Sequence, residues 1–277
     1  MRASAKKGFL MALAVLLLGT AALFLVGSTD DMVTVHYAVE SPAVDTPIRL
    51  ALVTDLHSCD YGEGQEELLD AIAAQSPHAV LLGGDIIDDD IPREKGEIFV
   101  TEVSKGCPTY YVSGNHEYRT DDIEGIKEFI RSAGAAVLEG DCLPLTVDGQ
   151  TIQVCGVDDP EGVGQEAMTD QLAQAAAQAD PALFTILLSH RPELIDRYRS
   201  YGTFDLILSG HAHGGQWRIP GLINGLYSPI QGFFPEYAGG VYEKDGSTMV
   251  VSRGLAREST RIPRIFNRPQ LVIVDIK

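Results

Sequence analysis

Five short apolar runs in this chain each end in residues able to hold a cation. Leu50-Ala51-Leu52-Val53-Thr54 leads into Asp55-Leu56-His57, and Ala79-Val80-Leu81-Leu82 into Gly83-Gly84-Asp85. Tyr110-Tyr111-Val112-Ser113 leads into Gly114-Asn115-His116-Glu117, and Phe184-Thr185-Ile186-Leu187-Leu188-Ser189 into His190. The fifth, Leu206-Ile207-Leu208-Ser209, leads into Gly210-His211-Ala212-His213. Continuous apolar runs of this length predict strands buried on both faces, as in a parallel sheet covered by helices. Open α/β sheets bind their ligands at the carboxyl ends of such strands. Ligating residues at the same end of every run therefore point to an α/β fold with one site along its strand ends.

Between the runs the spacing turns helical. Residues 63–75 place Leu68, Leu69, Ile72 and Ala73 on one face, and 94–104, 121–133 and 165–178 are similar. That alternation is the pattern of an α/β protein. Residues 143–147 and 151–157 predict a hairpin around Asp148-Gly149-Gln150. In the last third, 241–243 and 248–252 flank a turn at Asp245-Gly246, and 271–276 closes the chain as a strand. A second, more antiparallel sheet is expected there. No internal repeat interrupts the chain.

The N-terminus follows different rules. Residues 1–7 form a basic tail with Arg2, Lys6 and Lys7, and 8–27 carry no charge. A helix of that length reaches roughly 30 Å, the hydrocarbon thickness of a bilayer. Asp30 and Asp31 follow, so positive residues precede the stretch and acidic ones succeed it. The expectation is a single transmembrane anchor, a cytoplasmic tail and an extracytoplasmic domain in the cell membrane. The alternative is a signal peptide cleaved near Val26-Gly27-Ser28, giving a secreted protein. Residues 28–46 then form a linker with one strand at 33–39, and 47–277 one domain with a substantial core.

Acidic residues outnumber basic ones by 39 to 21, for a formal charge of −18. That balance argues against non-specific binding to nucleic acid or anionic lipid. It leaves phosphate substrates open, because bound cations invert the local field. Cys59, Cys107, Cys142 and Cys155 form no CxxC pair, which gives no sign of a zinc ribbon or thioredoxin-type site. Outside the cytoplasm they have three possible pairings. Cys59, two residues after His57, reads as a small filler.

Residues two apart on a strand point the same way. Asp55 and His57 then converge if their strand persists, as do His211 and His213. Asp85 has two oxygens and can bridge two cations; Asn115 offers a carbonyl oxygen and His190 an imidazole. With Asp85 bridging, these seven residues give each of two cations four protein ligands. Open positions remain for a hydroxide and a substrate oxygen. Two metals about 3.5–4 Å apart activate water and clamp both ends of an in-line displacement at phosphorus. A thiolate-free Asp/His/Asn set suits manganese foremost, then iron or zinc, over calcium.

The ordered blocks Asp55-Leu56-His57, Gly84-Asp85-Ile86-Ile87-Asp88, Gly114-Asn115-His116-Glu117, His190 and Gly210-His211-Ala212-His213 strongly resemble the calcineurin-like metallophosphoesterase superfamily. His211-Ala212-His213-Gly214-Gly215-Gln216, with Arg218-Ile219-Pro220, resembles its bacterial membrane-associated YkuE/YaeI-like phosphodiesterase branch. Ser252-Arg253-Gly254 and Asn267-Arg268-Pro269 do so too. The resemblance implies a four-layer αββα sandwich of two mixed sheets flanked by helices. It implies two divalent metals, the first held by Asp55, His57, Asp85 and His213. The second would take Asp85, Asn115, His190 and His211. His116 would bind neither metal and would protonate the leaving oxygen or stabilise the charged transition state, with Asp88 holding it. The implied reaction is hydrolysis of a P–O bond, of a diester foremost, by a metal-bridging hydroxide. Monoester or pyrophosphate hydrolysis on lipid-linked or nucleotide substrates is an alternative, and metal-dependent binding without turnover is another. A lipid or envelope-derived phosphoester is the expected substrate, with no nucleic-acid partner and no obligate protein partner.

Other residues have plainer readings. Asp88 can serve as a loop cap, and Asp88-Asp89-Asp90 as a solvated acidic run. Gly214, Gly215 and Gln216 either shape the pocket rim or turn the chain. Arg253 and Arg257 either meet a substrate phosphate or form salt bridges. Trp217, Phe233, Phe234 and Tyr237 read as core before they read as an apolar cleft. His36 and His78 fall outside the pattern.

Overall fold

The computed structural model describes residues 2–244, 246–257 and 262–277; for 2–5, 12, 16, 20–23 and 25 the description is of the backbone alone. Met1 of the expected basic tail and Asp245 of the expected turn lie outside it. One six-stranded sheet has the order β1 (Val33–Val39), β14 (Gln270–Ile276), β2 (Ile48–Val53), β3 (Ala79–Gly83), β4 (Thr109–Val112) and β5 (Ala136–Val137). The other runs β12 (Gly240–Lys244), β13 (Ser247–Val251), β9 (Leu206–Ser209), β8 (Thr185–Leu188), β7 (Gln150–Gly156) and β6 (Cys142–Val147). Each is mixed. In the first, β14 runs antiparallel to β2; in the second, β12 opposes β13 and β6 opposes β7. A two-stranded ribbon, β10 (Tyr227–Ser228) with β11 (Gly232–Phe233), sits in the loop after β9.

Period-two alternation sorts the apolar runs into separate cores. Leu50 and Leu52 of β2 face the gap between the sheets with Ile186, Leu188, Leu206 and Leu208. Their neighbours Ala51 and Val53 face away, onto α2 (Glu66–Ala73), α3 (Glu94–Gly106) and α5 (Ile123–Ser132) through Leu68, Ile72, Phe99, Val100, Ile126 and Ile130. On the far side, Leu187 and Ile207 pack with Met168 and Leu172 of α7 (Gln165–Gln178) and Ile195 of α8 (Ile195–Arg199). Three apolar seams between four layers give the αββα order. Two short helices, α4 (Asn115–Arg119) and α6 (Pro160–Val163), lie at the ligand-bearing end.

The last third does not build an antiparallel sheet of its own. β14 carries Val272, Val274 and Ile276 on one face and Leu271 and Ile273 on the other, all buried. A strand apolar on both faces goes to the interior of a sheet, and β14 lies between β1 and β2. β13 extends the second sheet parallel to β9. Of the three cysteine pairings, the fold has Cys142–Cys155, facing residues on β6 and β7.

Residues 8–27 fall within α1 (Arg2–Gly27), which exposes Phe9, Leu10, Met11 and Leu18. Among the described residues no helix is long and apolar enough to cross a membrane, so the spanning segment expected at 8–27 is not borne out. α1 meets the domain at its end, where Phe266 N–H donates to Gly27 O at 2.8 Å.

Candidate metal centre

Each expected ligand stands just beyond a strand, but not on it. β2 ends at Val53, and Asp55 and His57 each adopt a left-handed φ of 50°. Asp85, His211 and His213 do the same at 53°, 66° and 46°. Convergence therefore comes from left-handed turns, not from the period of a persisting strand. Such conformations cost of order 1 kcal/mol or more each for non-glycine residues and concentrate where a site constrains the chain. Gly84 lets the turns close: a Cβ there would stand 2.6 Å from His190 Nδ1 and 2.7 Å from Gly114 N.

The turns bring together two sets of ligand atoms that share one residue. Asp55, His57, Asp85 and His213 place one atom each within 4.8 Å of one another, and so do Asp85, His190 and His211. Asp85 belongs to both. Its Oδ1 accepts from His116 N–H at 2.8 Å. Its Oδ2 is buried and lies 3.1 Å from His190 Nε2 and 3.7 Å from His57 Nε2. Neither Asp85 Oδ2 nor His57 Nε2 has a hydrogen-bond partner. Buried polar atoms are rarely left so, and these two face each other across the cluster. Asn115 presents its amide to His211 Nδ1 at 3.0 Å. With the oxygen inward two acceptors meet there, which a cation between them resolves; with the nitrogen inward the amide donates to His211. The donor set thus fits two divalent cations sharing Asp85.

Burial opposes charge on Asp85, yet the His190 charge and contact outweigh it and hold the carboxyl well below its usual range. Burial lowers His190 too, but the Asp85 charge dominates and raises it to about 10. Burial, reinforced by the His190 charge, keeps His211 well below its usual value; burial and the His57 charge do so for His213. Neutral imidazole is the ligating form.

Outer contacts aim the ligands, as metal sites require. His190 Nδ1 lies 2.8 Å from Gly83 O. His57 Nδ1 lies 2.6 Å from Asp88 Oδ2, while Asp88 Oδ1 accepts from the N–H groups of Asp90 and Ile91. That grip points Asp88 at His57, and it reaches His116 Nδ1 only at 3.5 Å. His116 is instead held by Asp89 at Nδ1, with Arg119 Nη1 at 3.3 Å from Nε2. Its ring is half-buried and meets the His57 ring edge-on at 4.4 Å; it lies outside the two sets that share Asp85, and with His57 and Asp88 it forms a third cluster of ligand-type atoms within 4.8 Å.

Several residues of the site had no role in the sequence reading. Glu117 accepts four backbone N–H groups, from Asp85, Ile86, Ile87 and Gly114. Arg119 pairs with Glu161 at 2.8 Å, and Glu161 also pairs with Arg191 at 2.9 Å. Arg191 is buried against Asp159 and places Nη1 at 3.2 Å from His211 Nε2. Only Glu117 carried a signal, as the last member of the block Gly114-Asn115-His116-Glu117.

The open readings also resolve. Arg257 pairs with Glu67 and stacks on Tyr61, its guanidinium 3.7 Å from the ring centroid, so it is a structural bridge. Arg253 donates to Gln270 Oε1. Cys59 is buried and accepts from Arg257 N–H as a packed filler. Trp217, Phe233 and Phe234 are not core: they are 41%, 72% and 65% exposed, and only Tyr237 is buried. The loop that carries them leaves the second sheet, and its apolar side chains face outward.

Residues 48–215, well over half the chain, match the family model described as calcineurin-like phosphoesterase. The chain belongs to that family. It is a metal-dependent phosphoester hydrolase with an Asp/His cluster suited to divalent cations. A metallophosphoesterase of Helicobacter pylori strain J99 is 29% identical over 215 residues, which cover 76% of this chain and 55% of that protein. The chain thus spans about half that relative's length. Metallophosphoesterase YkuE of Bacillus subtilis is 26% identical, covering 83% of this chain and 79% of its own. Phosphodiesterase YaeI of Escherichia coli is 25% identical, covering 83% and 82%.

Proposed function

We propose that this phosphoesterase hydrolyses phosphodiesters, with manganese as its preferred metal. The observation that carries the reading is the pair of ligand sets sharing Asp85, with His116 beside both and in neither. Asp55, His57, Asp85 and His213 would hold one cation, and Asp85, Asn115, His190 and His211 the other. Two such cations supply Lewis acidity at phosphorus and an activated water. The protein's own groups do the rest. Asp89 fixes His116 through Nδ1, so the ring turns Nε2 toward Arg119 and the open side. From there Nε2 delivers a proton to the leaving oxygen. Arg119, tied to Glu161, presents a half-exposed guanidinium for a phosphoryl oxygen. Asp88 keeps His57 oriented. The diester preference draws support from the name of the YaeI relative.

We further propose that the protein works at the cell membrane, with its domain outside, on a lipid or envelope-derived ester. Support comes from the charge-free stretch 8–27 between basic and acidic flanks and from the apolar side chains α1 exposes. The absence of a described helix long and apolar enough to span stands against it. Recovery of the full-length protein in the soluble fraction, with its N-terminus intact, would remove this location.

With added Mn²⁺, turnover of bis-p-nitrophenyl phosphate should exceed that of p-nitrophenyl phosphate. His116→Ala should lower kcat by about 10²–10⁴-fold at unchanged metal content. Faster monoester turnover overturns the diester reading. Two bound metals without turnover of either ester makes the centre a binding site.

A further inference from the structure

We propose that an apolar pocket beside His213 holds an aliphatic chain of the substrate while its phosphoryl group sits at the metal centre. This rests on the phosphoesterase reading above. The pocket has a volume of about 440 Å³, and Gln216, Trp217, Leu226, Tyr227, Phe233 and Ile262 line it. That is the size of small-molecule sites in general.

Its walls are built onto the ligand turn. His213 opens a short 3-10 turn with Gly214 and Gly215, and Asn267 donates to the carbonyls of both His213 and Gln216. Gly215 O accepts from Leu226 N–H at 3.0 Å, and Trp217 O accepts from the same group at 2.8 Å. The indole of Trp217 donates to Pro263 O at 3.0 Å, closing the side that carries Ile262. A Cβ on Gly215 would meet the Gly225 backbone at 2.5 Å, so the two strands of the loop are pressed together there. One wall of the pocket therefore starts two residues after a metal ligand.

The composition of this surface is unusual for so acidic a chain. Outside α1, ten large apolar side chains are exposed among the described residues, and eight lie between 217 and 234 or at Ile262. Concentrated exposure of this kind marks a binding surface. Among the described residues no carboxylate or guanidinium lines the pocket; its polar side-chain groups are Gln216, the Tyr227 hydroxyl and the Trp217 indole N–H, the last already donating to Pro263 O. A nucleobase would leave most of its hydrogen-bonding edge unmatched there, which costs affinity. An anionic bilayer would meet the −18 charge of the chain. An aliphatic chain needs neither partner nor countercharge. It gains about fourfold in binding for each methylene buried.

The test uses the full chain loaded with Mn²⁺ and methyl, butyl and octyl p-nitrophenyl phosphate, each below its micellar concentration. We expect kcat/KM to rise at least tenfold from methyl to octyl. In Phe233→Ser, and separately in Tyr227→Ser, the octyl-to-methyl ratio should fall toward one. A second readout needs no turnover. Trp217 is the sole tryptophan, and its emission should shift with octyl phosphate and not with methyl phosphate. A flat ester series with an unresponsive Trp217 overturns the pocket. So does an octyl advantage intact in both variants, or a thymidine p-nitrophenyl diester preferred over the octyl one. Absence of hydrolysis with a responsive Trp217 fails the phosphoesterase reading alone.

Discussion

Glu117 binds no metal in either ligand set, yet the Asp85 turn and the Gly114 turn are both tied to it. Its two oxygens take four backbone N–H groups that have no other partner near. Burial and the Asp85 charge push its carboxyl up to about 7, against those donors. Glu117→Ala would orphan buried N–H groups on both turns at once. Each costs roughly 1–3 kcal/mol, so the variant should lose about 4 kcal/mol or more in denaturant unfolding and much of its metal in elemental analysis. Unchanged stability would remove Glu117 from the site. The seven candidate ligands could be picked out because side-chain chemistry is written in residue type, and five apolar runs gave their common address. The role of Glu117 could not, because its partners are backbone groups that leave no mark in a sequence. Nor could the Arg119–Glu161–Arg191 chain, whose members are far apart in sequence and meet only through the fold. Asp89 read as part of a solvated run, but its contact is His116.

At the scale of elements, the hairpin β6–β7 shows what pattern alone leaves undetermined. Residue types gave two strands and a glycine turn, and three cysteine pairings stayed open. Antiparallel register decides among them, since it sets Cys142 opposite Cys155. β6 is the outer strand of its sheet, paired on one side only. A disulfide closing a 13-residue separation restricts the unfolded chain by about 3 kcal/mol. Cys142→Ser with Cys155→Ser should therefore lower Tm by about 5–10 °C, at unchanged metal content. A Tm insensitive to the substitutions, and to reductant, would show that β6 is held by its ladder and packing alone. β14 carries the opposite lesson. Its apolar residues on both faces announced a strand, but strand order comes from which neighbours complete the core, and its sequence position at the chain end misdirected that assignment. The expected ligand geometry erred for a similar local reason: the period of a strand was extended past Val53, where the chain has already turned left-handed.

Over the whole molecule, the centre lies where the two sheets meet. Asp55, Asp85 and Asn115 follow strands of the first sheet, and His190, His211 and His213 follow strands of the second. Elsewhere the sheets touch through apolar side chains that need nothing from solution. At the ligand end they meet through buried carboxylates and imidazoles. There burial and the Asp85 charge push Asp55 up, against the charges of His190 and His57 and the Thr54 hydroxyl. Cations bound at that end would both relieve the carboxylate repulsion and tie one sheet to the other. Any ion bound only by the folded chain stabilises it by mass action, about 2.7 kcal/mol at a hundredfold excess over Kd. For a domain of this size that raises Tm by about 5–10 °C. Adding Mn²⁺ to chelator-treated protein should produce that rise, and chelator should reverse it. Asp85 serves both ligand sets, so Asp85→Asn should remove most of the rise, whereas His213→Ala, which touches one set, should remove only part. If Asp85→Asn keeps the full Mn²⁺ response, the ions bind elsewhere and the sheets are joined by their apolar seam alone.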